Sequence, residues 1–190
     1  SRESWNAILH ETRRILEPYH GQYPLRAGMP REEIRSRLRI TSSIANQILD
    51  RAAEDGHIAA TATTVALPEH RPILSDQQQR LADRVLAEFR ASPYAPPSQG
   101  QVEEAIGADV LQFMLESGQL VKVGEGVLFD GQTHQNMEQR LIEYLKQHKQ
   151  ITVAEVRDLF GTSRKYALAF LEDLDSRRVT KRMGDMRVLR

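Results

Sequence analysis

Apolar residues recur at helical spacing in three separate stretches of this chain, and each recurrence opens the same succession of elements. Trp5, Ile8, Leu9, Thr12, Ile15 and Leu16 share one stripe of a first helix. Leu81, Val85 and Phe89 do so in a second stretch, and Met137, Leu141, Tyr144 and Leu145 in a third. A shorter helix follows each. In the first copy Pro30 stands at the predicted first helical position, and Glu32 and Glu33 suit the positive end of the helix dipole. Ser98 with Gln101, and Thr152 with Glu155, have the spacing of a capping box in the second and third copies.

A third helix comes after a tight connection. Ala45, Ile48, Leu49 and Ala52 form its buried face in the first copy, and Ala167, Phe170, Leu171 and Leu174 in the last. The middle copy is less regular, with Val110, Leu111, Met114 and Leu115. Each third helix runs into strand-forming residues around a turn: Ile58 to Leu67, Leu120 to Phe129 around Gly124-Glu125-Gly126, and Val179 to Leu189 around Gly184-Asp185. Helix, helix, helix, hairpin is the order of a winged helix, a helix-turn-helix with a β wing. A plain helical bundle with extended tails is the competing arrangement, and the threefold recurrence argues against it.

The predicted fold class is therefore mainly α with small β wings, an elongated tandem array of three winged-helix domains over residues 1–70, 74–130 and 132–190. Linkers are expected near Pro68–Leu74, where two prolines interrupt any helix, and near Asp130–Thr133. Both are short, which predicts contact between neighbouring units and a semi-rigid rod.

Composition narrows the function. The chain has no cysteine, which removes disulfides and thiolate metal sites. No apolar run approaches the ~20 residues of a membrane span and no signal-peptide pattern opens the chain, so a cytoplasmic protein without a membrane partner is expected. The chain starts directly on a helical pattern, as expected of a piece of something longer. Net charge is zero, yet residues 1–72 carry +1, residues 73–130 carry −5 and residues 131–190 carry +4. From Gly161 onward there are 8 basic and 4 acidic residues, and the basic ones gather at two predicted tips.

One tip is the start of the last third helix, the part of a helix-turn-helix presented to a ligand. There the first copy offers Thr41, Ser42 and Ser43, the second Ala108 and Asp109, and the third Ser163, Arg164 and Lys165. With Ala167, Phe170, Leu171 and Leu174 facing the core, Lys165 projects away from it, and Arg164 and Tyr166 lie on the flanks. Ser163 can cap the helix or donate to a phosphate, at a place where free N–H groups favour an anion. Arg164 suits bidentate pairing with phosphate or a base edge, and Lys165 supplies a point charge. Tyr166 either stacks on an unpaired base or fills the space beside the second helix.

The other tip is the last wing, with Lys181 and Arg182 on the incoming strand and Arg187 on the outgoing one. Gly184 permits the positive φ of a tight turn and close approach of a ligand. Asp185 is either a turn former or an acceptor for a base or sugar hydroxyl. Arg157, on the second helix, points to the same side or pairs with Glu155 or Asp158. Arg177 and Arg178 suit the end of a helix dipole without any ligand.

These residues carry a family resemblance. The run from Ala154 through Asp158-Leu159 to Gly161-Thr162-Ser163-Arg164-Lys165-Tyr166, with Thr180-Lys181-Arg182 and Gly184-Asp185-Met186-Arg187, resembles the C-terminal region of the bacterial selenocysteine-specific elongation factors, the SelB family. The likeness covers roughly the last sixty residues and extends more loosely to Tyr94-Ala95-Pro96-Pro97-Ser98. It implies a translational GTPase followed by winged-helix units, of which this chain is the last three. It also implies that the final unit binds a messenger-RNA hairpin, the selenocysteine insertion element, while the other two act as a spacer. Carried over by position, RNA contact falls to Ser163, Arg164, Lys165 and the Lys181–Arg187 wing, with Tyr166 and Arg157 matching the motif. GTP and Mg²⁺ are implied only for the N-terminal part, because the G-x-x-x-x-G-K-Ser/Thr loop does not occur here. No cofactor or metal is expected in this segment. The ribosome and selenocysteyl-tRNA are implied partners of the whole factor, and a monomer is expected.

Two other classes fit the same pattern. A DNA-binding winged-helix regulator usually presents two recognition helices to paired half-sites, whereas only one of these three is basic. A protein-interaction scaffold would use the −5 middle unit as a docking face. An enzyme fits least, since His10, His20, His57, His70, His134 and His148 have no metal-ligand spacing and no Gly-x-Ser-x-Gly or paired-carboxylate arrangement occurs.

Overall fold

Each expected helix triple forms, and each is closed by a small antiparallel hairpin. The computed structural model describes residues 2–190, without the side chains of Ser42 and Ser43. The chain divides into two compact units, residues 1–75 and 76–190.

The first unit holds α1 (Arg2–Gln22), β1 (Met29–Pro30), α2 (Arg31–Leu38), α3 (Ser42–Glu54), β2 (Ala59–Ala60) and β3 (Thr64–Ala66). Its sheet runs β1-β3-β2, antiparallel throughout. Leu16, Met29, Ile34, Leu49 and Val65 are fully buried at its centre, so the helical stripes face inward as their spacing predicts. Pro30 is displaced by one position from the sequence expectation. It pairs in register with Thr64 and serves as the N-cap residue at ψ 137°, and the helix begins at Arg31. A strand thus competes for the proline, whose missing N–H costs little at a strand end.

The second unit holds two triples. The first is α4 (Asp76–Ala91), α5 (Gln99–Ile106), α6 (Ala108–Glu116), β4 (Leu120–Gly124) and β5 (Val127–Asp130). The second is α7 (Gly131–His148), β6 (Ile151–Thr152), α8 (Val153–Phe160), α9 (Arg164–Ser176), β7 (Thr180–Met183) and β8 (Met186–Leu189). Both predicted capping boxes are present, Ser98 with Gln101 on α5 and Thr152 with Glu155 on α8. The last sheet runs β6-β8-β7, with Ile151 opposite Arg187 and Arg182 opposite the same residue on the other side.

The linker expected at Asp130–Thr133 is not one. Asp130 ends β5 and its carboxylate accepts the Thr133 N–H at 3.0 Å, so strand passes into α7 without an intervening residue. Gly131 lies so close to the Gly118 carbonyl that a Cβ there would meet the oxygen at 2.2 Å. Asp-Gly is a turn signal in sequence; here the aspartate caps a helix and the glycine allows the close approach. One apolar cluster then spans both triples, joining Val123, Val127 and Phe129 to Met137, Leu141, Phe160, Phe170 and Leu174. The middle wing is consequently packed on α9, where Gly124 lies against Ala169.

Candidate nucleic-acid interface

Gly161 ends α8 in the left-handed region at φ 61°, and Ser163 caps α9 by accepting the Tyr166 N–H at 3.4 Å. With Ala167, Phe170, Leu171 and Leu174 buried, the first two residues of α9, Arg164 and Lys165, are exposed. The positive end of the helix and two cations therefore coincide.

The wing is built by the β7–β8 ladder, which pairs Thr180 with Leu189 through to Met183 with Met186. Gly184 takes φ 62° as the first of two turn residues, the requirement of a II′ hairpin turn. Lys181, Arg182, Gly184 and Asp185 are exposed, and Met183 beside them is 52% exposed. Arg182 Nε donates to the Gly184 carbonyl at 2.9 Å, which holds its guanidinium against the turn.

Between α9 and the wing lies an open cleft of about 450 Å³. Arg164, Leu168 and Glu172 line one wall and Arg182, Asp185 and Arg187 the other, with residues 152–154 at the end. Four residues singled out from sequence, Arg164, Arg182, Asp185 and Arg187, thus converge on one cleft, while Ser163, Lys165, Lys181 and Gly184 sit on the same two elements outside its walls. Leu168 and Glu172 escaped the sequence reading, although they follow Arg164 at i+4 and i+8 on one helical stripe. At the end of the cleft, hydrogen bonds from the Thr152 N–H and hydroxyl hold the Glu155 carboxyl below its usual range.

Three expectations change. Arg187 is only 2% exposed: its Nε donates to Asp175 Oδ2 at 3.1 Å, and the same carboxylate accepts the Thr180 hydroxyl at 2.7 Å. Its Nη2 is buried without a partner among the described residues. Arg187 is a strut of the wing, because the register that sets it opposite Ile151 turns it inward. Tyr166 is half-buried and already engaged. Its hydroxyl donates to the Pro96 carbonyl at 3.2 Å and its ring meets Phe129 edge-on, so of the two sequence readings the packing one holds. Arg157 donates through Nε and Nη2 to the adjacent Asp158 at 2.8 and 2.7 Å, outside the cleft, and that carboxylate offsets its charge. Arg177 likewise pairs with Glu138 and Asp173.

The electrostatic contrast between copies is sharper than net charge suggests. In the first unit Arg13, Arg14, Arg31, Arg35, Arg37 and Arg51 each meet a carboxylate. Each pair has at least one exposed partner and contributes little stability, but the carboxylates offset the charge an anion would meet. Arg164, Lys165, Lys181 and Arg182 form no ion pair among the described residues. At the positions matching Arg164 and Lys165, α6 begins with Ala108 and Asp109, and α3 follows an exposed Thr41; the side chains of Ser42 and Ser43 lie outside the described residues. Among the described residues no group of three or more His, Cys, Asp or Glu is arranged to hold a metal ion, and no helix is long and apolar enough to cross a membrane.

Two family models, both describing the winged helix of elongation factor SelB, match residues 13–67 and 143–189, together more than half of the chain. This chain belongs to the SelB family. A selenocysteine-specific elongation factor of Desulfomicrobium baculatum is 25% identical over 183 residues, covering 92% of this chain but 29% of that relative. The chain therefore spans under a third of the length of the curated relative it matches. The crystal structure of a bacterial selenocysteine-specific elongation factor aligns with 96% of this chain and 30% of its own at a TM-score of 0.53 and 16% identity. The mRNA-binding domain of SelB from E. coli, solved in complex with SECIS RNA, aligns with 62% of this chain and 99% of its own, at a TM-score of 0.48 and 19% identity.

Proposed function

We propose that this chain is the arm of a selenocysteine-specific translation elongation factor that grips a messenger-RNA hairpin, the selenocysteine insertion element, with its last winged helix. The carrying observation is the set of cations that have no carboxylate partner among the described residues, Arg164, Lys165, Lys181 and Arg182, on two elements that flank one cleft. The major groove of an RNA duplex is too deep and narrow for a helix, so specific recognition targets unpaired loop or bulge bases with backbone contacts around them. A compact cationic cluster beside a cleft suits a hairpin tip better than an extended duplex. The preceding triples serve as the spacer to a GTPase part that carries GTP, Mg²⁺ and selenocysteyl-tRNA. On this reading the factor acts as a cytoplasmic monomer at the ribosome, and this segment performs no catalysis.

A binding titration at fixed salt tests the reading with three ligands: an RNA hairpin carrying a looped or bulged base, the fully paired RNA stem, and a DNA duplex. The hairpin is expected to bind tightest. Equal affinity for all three sinks the proposal, and preference for the DNA duplex favours a transcription regulator instead.

A further inference from the structure

The start of α9 is anchored at two points to the triple that precedes it. Thr162, just before the cap, donates through Oγ1 to the Tyr94 carbonyl at 2.5 Å, and Tyr166, one turn later, donates through its hydroxyl to the Pro96 carbonyl at 3.2 Å. These two side chains bracket Ser163, Arg164 and Lys165. Both acceptors belong to the connection between α4 and α5, which is itself well held. Pro96 is buried, and the Tyr94 ring packs on Phe160 with centroids 5.6 Å apart.

Neither bond is needed to form the helix. α9 has its own cap in Ser163 and its own buried face. What the two hydroxyls fix is the first turn, the part of a helix whose N–H groups lack intrahelical partners and which frays most readily. Binding groups held in place before the ligand arrives lose less conformational entropy on association. We infer that Thr162 and Tyr166 are positioning residues that clasp the start of α9 to the Tyr94–Pro96 connection and so preorganise Arg164 and Lys165 for RNA. The inference rests on the RNA-binding reading above for its ligand, and on the two hydrogen bonds for its mechanism. The middle triple then takes part in recognition without touching the message.

The test uses Thr162→Val and Tyr166→Phe, each deleting one hydroxyl, in the whole chain. Without RNA, amide hydrogen exchange at Tyr166 and Ala167 is expected to speed up about threefold to tenfold in each variant, with Leu171 and Leu174 unchanged. With the hairpin, each variant is expected to bind about threefold to tenfold more weakly. In addition, Arg164→Ala costs less affinity in the Tyr166→Phe background than in the parent, as expected of a misplaced partner. Unchanged exchange overturns the inference, and so does faster exchange with parental affinity. Weakening by Tyr166→Phe with Thr162→Val silent overturns it in favour of direct contact by the tyrosine. If the parent chain binds no hairpin, the RNA reading fails, and the exchange measurement alone decides whether the clasp exists.

Discussion

Arg187 reaches Asp175 across the base of the last wing, with Nε 3.1 Å from Oδ2, and Arg187 also lines the cleft that Arg182 and Asp185 face. The pair fixes the tilt of β7 and β8 against α9, since Asp175 also takes the Thr180 hydroxyl at the first residue of β7. Arg187→Ala strips a partly buried carboxylate of its cation and is expected to lower stability by about 2–3 kcal/mol, below the full cost of a wholly buried pair. Arg187→Met keeps the volume and is expected to lose less. Arg182→Ala should leave stability within about 0.5 kcal/mol. Urea denaturation of the three variants measures the order.

Arg164→Ala combined with Lys165→Ala is expected to weaken hairpin binding well over tenfold with little change in stability, as both side chains are exposed. Ser42→Ala with Ser43→Ala, the matching change at the first two residues of α3, should leave affinity unaltered. Only a few phosphates are neutralised, so the dependence of log affinity on log salt should be shallow. A titration series at several salt concentrations reads both quantities.

The first unit carries a pH dependence of its own. His20 Nε2 accepts the Leu67 N–H at 3.1 Å, and its ring stacks on His70 with centroids 3.7 Å apart. Burial, and then the neighbouring His70, lower its pKa from 6.5 to about 4, with Glu69 pulling the other way. Between those values the unfolded chain binds the proton and the folded one does not, so stability rises with pH. The contribution is whole above 6.5 and falls away as the pH drops to about 4, by about 2–3 kcal/mol. His20→Gln is expected to flatten that part of the stability profile; an unchanged slope in chemical denaturation between these pH values would place the acid sensitivity elsewhere.

Thr152→Ala removes one half of the capping box that starts α8 and is expected to cost about 1 kcal/mol. Because Glu155 is held ionised by Thr152, its contribution is present above the usual carboxylate range and is lost as pH falls below it. Thermal melting of parent and variant at neutral and acid pH checks both statements.

Much of this was legible in sequence because the signals are local. The faces of α3 and α9, the Thr152–Glu155 and Ser98–Gln101 boxes and the Gly184-Asp185 turn depend on spacings of a few residues. The readings that changed depend on partners far along the chain or on register. Tyr166 is committed to Pro96, seventy residues earlier, and the inward turn of Arg187 follows from the alignment of β8 with β6. Asp130-Gly131 misled for a different reason, since one dipeptide serves a turn and a helix start equally well.

That dipeptide leaves the two triples of the second unit without slack between them. A helix advances about 1.5 Å and turns about 100° for every residue. One residue inserted at the junction, where β5 passes directly into α7, would therefore swing the cleft between α9 and the wing by more than a quarter of a circle. The direction in which the cleft faces is set by counting residues across this junction.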